Sequence, residues 1–127
     1  MDTLANALNS MKVAETKGRS SSKVKPTSKL IKEVLQVLQD NGYITGCEYQ
    51  ADAQGGFFTV TLNGKINDCG TIKPRFSVTA LTWEKFEQRF LPSKDTGILI
   101  VSTPQGVMTH IQAKEKKTGG RLIAYTY

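Results

Sequence analysis

Apolar residues recur at helical spacing in two early stretches. In residues 3–16, Leu4, Leu8 and Met11 fall at i, i+4 and i+7, with Ala5, Ala7 and Ala14 between them. One apolar face of a helix follows, with Asp2 or Thr3 placed to cap its first turn. Residues 17–26 are polar, basic and rich in serine, so they form either a flexible arm or an edge strand whose side chains face solvent, and Pro26 stops whatever precedes it. Leu30, Ile31, Val34, Leu35 and Leu38 then mark a second helix with a wide apolar stripe, capped by Ser28 and ended by Gly42. Tyr43 and Ile44 lead into a strand near 46–52, Gln54-Gly55-Gly56 turns the chain, and residues 57–63 alternate. Phe58, Val60 and Leu62 share one face; Phe57, Thr59 and Thr61 share the other, which completes a hairpin.

The pattern changes after Asn63-Gly64 and Asp68-Cys69-Gly70. Residues 71–78 read as a strand interrupted by Pro74. Trp83, Phe86 and Phe90, at i, i+3 and i+7, predict a short helix capped by Thr79 or Thr82 and stopped at Pro92. Residues 98–103 form a buried strand, Gly106 turns the chain, and Thr109 caps a short helix through about Lys117, which Gly119-Gly120 breaks. Residues 121–127 alternate as a last strand. No internal repeat or low-complexity linker separates the halves. The expected fold is α/β (more strictly α+β) in two small packed domains, 1–65 and 66–127, the second rich in short strands.

Composition fits that frame. The 127 residues are 39% hydrophobic and 22% charged, a balance typical of folded chains. No run approaches the roughly 18–20 apolar residues a membrane helix requires; the longest is 98–101. The N-terminal stretch, with Asp2 and Asn6, lacks the basic start and apolar core of a signal peptide. A soluble, intracellular protein with no membrane partner is therefore expected, with Cys47 and Cys69 as free thiols.

Charge adds a partner class. Seventeen Lys and Arg against eleven Asp and Glu leave a net charge of +6, which favours a polyanion. The excess is concentrated. Residues 1–32 hold Lys12, Lys17, Arg19, Lys23, Lys25, Lys29 and Lys32 against Asp2 and Glu15, and residues 114–121 hold Lys114, Lys116, Lys117 and Arg121 against Glu115. Lys29 and Lys32 share a helix face away from the apolar stripe. Two such clusters favour nucleic acid over a merely solvated surface.

Residues 101–109, Val-Ser-Thr-Pro-Gln-Gly-Val-Met-Thr, set hydroxyls and an amide (Ser102, Thr103, Gln105, Thr109) around Gly106 at the end of a buried strand. Such groups bond bases, 2′-hydroxyls and phosphates; a polar turn followed by a helix cap explains them as well. Gly119-Gly120 is either a helix stop or a place where RNA approaches backbone closely.

Catalysis has little to draw on. Ser102 has no GxSxG setting, no Walker-type loop occurs, and the lone His110 has no obvious carboxylate partner in sequence. No cofactor, metal or small-molecule substrate is expected, and the aromatics Trp83, Phe86, Phe57 and Phe58 are expected to fill core.

Three stretches resemble the small ribosomal subunit protein eight family in its archaeal form: residues 2–9, Asp-Thr-Leu-Ala-Asn-Ala-Leu-Asn; residues 66–76, Ile-Asn-Asp-Cys-Gly-Thr-Ile-Lys-Pro-Arg-Phe; and residues 98–109, followed by Ala113-Lys114 and 119–122, Gly-Gly-Arg-Leu. The likeness runs from residue 2 to residue 127. It implies an N-terminal α-β-α-β-β unit and a C-terminal β unit with a small helix. It also implies a cytoplasmic structural constituent of the small ribosomal subunit, not an enzyme. Such a protein is a primary RNA binder that grips a stem in the central domain of small-subunit ribosomal RNA, aids its assembly and adjoins other small-subunit proteins. The family's recognition turn falls on Ser102, Thr103 and Gly106, with Gly119 and Gly120 in support. Its backbone contacts fall best on Lys25 and Lys29, with Lys12, Lys32 and Lys114 as further basic candidates. Many members carry another Ser or Thr after the Ser-Thr pair; Pro104 here removes one hydroxyl and one N–H. The same surface would also serve a translational repressor of the protein's own messenger, a rival that sequence does not separate. A second rival, an enzyme using Ser102 or Cys69 on a phosphorylated metabolite, lacks a visible base.

Overall fold

The computed structural model describes residues 3–24, 29–51, 53, 55–72, 75–79, 81–92 and 96–127. The expected caps Asp2 and Ser28, the turn residue Gln54, and Lys25, Pro26 and Pro74 lie outside the described residues. The chain divides into two compact units, Met1–Cys69 and Gly70–Tyr127.

In the first unit, α1 (Thr3–Thr16) buries Leu4, Ala7, Leu8, Met11 and Ala14, the stripe expected from spacing. The serine-rich segment resolves in favour of an edge strand. β1 (Ser21–Val24) pairs antiparallel with β3 (Phe57–Leu62), in register from Ser21 opposite Thr61 to Val24 opposite Phe58. α2 (Lys29–Asp40) buries Ile31, Val34, Leu35, Val37 and Leu38. Gly42, at φ 81°, ends it: its N–H bonds the Gln39 carbonyl, and the Tyr43 N–H bonds Leu38. These are the paired bonds of a Schellman cap. β2 (Ile44–Gln50) is the other partner of β3, giving the order β1-β3-β2. Val24, Ile44, Phe58, Val60 and Leu62 are buried, while Ser21, Thr45 and Thr61 are exposed. The sheet therefore has one covered face and one wet face, as antiparallel sheets allow. α1 lies against β1 and α2 against β2.

The second unit is built on β8 (Gly120–Thr126) and β6 (Ile98–Thr103), which pair antiparallel. β7 (Gly106–Thr109) pairs with the far side of β6. β4 (Cys69–Thr71) and β5 (Ser77–Val78) both pair with β8. The single interrupted strand expected over 71–78 is thus two short ones. α3 (Trp83–Phe90) buries Trp83, Phe86 and Glu87, and α4 (His110–Glu115) buries His110 and Ala113. Ile72, Val78, Trp83, Phe86, Leu99, Val101, Met108 and Leu122 meet in one apolar core. Trp83, Phe86 and Phe58 are core residues as expected, whereas Phe57 is half-buried.

Two local expectations need correction. Thr82 stands at the N-cap position of α3 but its hydroxyl bonds no helix amide; it accepts the Thr79 N–H at 3.1 Å instead. And Gly119-Gly120 does not stop α4. The helix ends through Lys117, which adopts φ 53° while its N–H bonds Lys114 and the Thr118 N–H bonds Ala113. A lysine thus takes the left-handed position that glycine usually fills. The two glycines serve the sheet: a Cβ on Gly119 would overlap the Val78 carbonyl, and one on Gly120 the Ser102 carbonyl.

Candidate nucleic-acid interface

The turn between β6 and β7 follows from its sequence. Pro104 fixes φ near −65°, and among the described residues only Lys117 is a non-glycine with positive φ. Pro104-Gln105 therefore forms a two-residue turn without the positive φ that hairpin turns usually carry at these positions, and the residue of positive φ comes directly after it. Gly106, at φ 120°, is that residue. The Thr103 hydroxyl ties the turn shut, donating to the Gly106 carbonyl at 2.8 Å and accepting the Gln105 N–H at 3.1 Å. Thr109 closes the far end as the N-cap of α4: its hydroxyl accepts the Gln112 N–H at 3.1 Å, and the Gln112 side chain accepts the Thr109 N–H at 3.1 Å. This is a complete capping box.

Thr103 and Thr109 are buried, with their hydroxyls committed to the protein. They shape the turn and do not present hydroxyls from it, because a two-residue turn after a buried strand needs internal bonds. Ser102, Pro104, Gln105 and Gly106 are exposed, and among the described residues nothing bonds the Ser102 hydroxyl. Gly119 and Gly120 are half-buried, their missing side chains replaced by protein carbonyls.

Strand register brings up a partner that motif reading passed over. Ser102 stands opposite Val107 on β7 and opposite Arg121 on β8, and Arg121 stands opposite Ser77 on β5. Residues directly opposite share a face, with Cβ atoms roughly 5 Å apart. Ser77, Arg121 and Ser102 are all exposed. They form a cross-strand row that ends beside the Pro104-Gln105 turn. The alternation of residues 121–127 was the available signal, since it puts Arg121 and Leu122 on opposite faces.

The basic candidates divide into two kinds. Lys29 and Lys32 are exposed at the start of α2. Lys12 is bonded to Asp68 at 2.6 Å, and Lys114 is ion-paired with Glu87, so both already have a counter-charge. Lys25 lies outside the described residues. A groove of about 590 Å³ in the first unit is lined by Asn9, Ser10, Val13, Arg19, Ser21 and Lys23; Lys23 also sits 5.0 Å over the Phe57 ring.

His110 does have a carboxylate partner, supplied by α3 and not by its own helix. Its Nδ1 accepts the Leu99 N–H at 3.0 Å, so the ring proton is on Nε2, which faces Glu87 Oε1 at 3.4 Å. Burial lowers its pKa below the ordinary 6.5, Lys114 adds to the fall, and Glu87 opposes it. Cys69 is inert for a parallel reason: burial, reinforced by Asp68, pushes its thiol up to about 12, and the thiol donates to the Leu8 carbonyl at 3.4 Å. Burial raises Cys47 as well. Both are free thiols. Among the described residues no group of His, Cys, Asp or Glu is placed to hold a metal, and no helix is long and apolar enough to cross a membrane.

A basic, hydroxyl-bearing surface without a reactive centre suits a polyanion, and comparison with known families decides the class. The family model for ribosomal protein S8 matches residues 2–127. The chain belongs to the ribosomal protein S8 family. As a ribosomal S8 protein it is a structural component of the ribosome, binds ribosomal RNA beside other ribosomal proteins and is not an enzyme.

Proposed function

We propose that this S8 protein, of archaeal type, is a primary RNA binder of the cytoplasmic small subunit that grips a stem in the central domain of small-subunit ribosomal RNA and helps it fold. The observation that carries the reading is the exposed row Ser77–Arg121–Ser102 running up to the Gln105–Gly106 turn. Hydroxyls and a guanidinium on a stiff sheet suit the wide minor groove of RNA, with its 2′-hydroxyls and flanking phosphates. Ser102 and Gln105 read the groove, Arg121 spans to phosphate, and Thr103 and Thr109 hold the turn rigid. Gly119 and Gly120 seat β8 so that Arg121 lies beside Ser102. Lys25, Lys29 and Lys32 anchor phosphates and set orientation. Lys12 and Lys114, already paired with acids, contribute less to counterion release.

A hydroxyl-radical footprint of the purified protein on naked small-subunit RNA tests this. Protection confined to one stem of the central domain is expected. Protection scattered over unrelated duplexes would contradict specific recognition.

A further inference from the structure

We propose that Glu87, a carboxylate 3% exposed and out of reach of any RNA, is a positioning residue for the recognition hairpin: through Lys114 and His110 it pins α4, and α4 fixes the end of β7. The proposal rests on the RNA-reading role of that hairpin. α4 has six residues, too few to persist without tertiary support. It follows β7 without a break, so any shift of α4 is passed to Thr109 and on toward Gly106.

Three contacts hold it. Lys114 on α4 pairs with Glu87 on α3. His110, the first residue of α4, faces the same carboxylate oxygen. Its Nδ1 also takes the N–H of Leu99, on the strand that pairs with β7. That last bond extends the β6–β7 ladder. Ile100 stands opposite Thr109, so Leu99 would be opposite the next residue, and the imidazole takes the place of a backbone carbonyl there. Glu87 supplies the fixed point to which both ends of this arrangement attach. The charged and titratable groups facing His110 are Glu87 from α3 and Lys114 from α4, while β6 offers only the Leu99 N–H. A second proton on the ring would remove the acceptor that Leu99 needs.

The test uses full-length wild type, Glu87→Gln, Lys114→Gln and the double variant. Each is titrated onto the central-domain stem and onto a plain RNA duplex of the same length. Hydrogen exchange is followed in the free proteins. Both single variants are expected to bind the stem roughly 3- to 10-fold more weakly. On the duplex, Glu87→Gln is expected to bind about as wild type does, and Lys114→Gln to lose clearly less than it loses on the stem. The double variant should lose no more than the weaker single, because both act through one contact. Faster exchange is expected at Leu99 and through 106–109. Lys114 is half-exposed, so its variant carries the test if Glu87→Gln does not fold. Unchanged stem affinity, equal loss on both RNAs, or an additive double variant overturns the clamp. If wild type itself does not prefer the stem, the recognition reading fails, and exchange still decides the clamp: undisturbed protection at Leu99 refutes it.

Discussion

His110 shows how one buried side chain can write a pH dependence into the fold. Its imidazole is neutral in the folded protein, with Nδ1 occupied by the Leu99 N–H and a pKa held below 6.5 by burial. The folded value lies below the unfolded one. Above about pH 6.5 both states are neutral and the group is silent. As pH falls below that value the unfolded chain takes up a proton and the native state does not. Stability is then lost until the folded pKa is reached, at no more than about 1.4 kcal/mol per pH unit for one proton. The melting temperature should hold from about pH 7.5 to about pH 6.5 and fall as pH drops further, and His110→Asn, which keeps an acceptor but does not titrate, should flatten that fall. None of this was legible in the sequence, because Glu87 is far from His110 along the chain and only the packing of α3 against α4 joins them. Thr103 teaches the same lesson: Ser102 and Thr103 look alike in sequence, yet strand alternation exposes one hydroxyl and turns the other into a brace.

The elements themselves were largely legible. α1, α2 and β3 follow directly from spacing because each buries one periodic face. β6 follows from its unbroken apolar run. The end of α4 falls close to the expected one, but the residue that stops it differs, because glycine is the usual left-handed stop and here Lys117 takes that conformation two residues before Gly119. What Gly119 and Gly120 do is visible only with the neighbouring strands in place. A Cβ on Gly120 would meet the Ser102 carbonyl and the Val101 side chain. Gly120→Ala should therefore cost about 1–3 kcal/mol by overpacking, read as a lower urea midpoint at unchanged slope. The fault would lie beneath Ser102, so the row that includes Arg121 would shift with it. A stability equal to wild type would mean that β8 has slack at this point.

For the molecule as a whole, the net charge of +6 sets how binding responds to salt. If about four phosphates are neutralised, log K should fall with log salt at a slope of roughly −3 to −4. Lys29 is exposed on α2, so Lys29→Ala should weaken stem and duplex alike and flatten the slope by about one. A loss restricted to the stem would instead make Lys29 a reader. Charge clustering was plain from the sequence; which cations have their own counter-charge was not, since Asp68 and Glu87 meet Lys12 and Lys114 only in the folded chain. The most direct measurement is the affinity of Ser102→Ala for the central-domain stem against a plain duplex at one fixed salt. A loss of about 1–3 kcal/mol on the stem alone is the expected result. Equal affinity for the stem in mutant and wild type would show that the hairpin does not read the RNA.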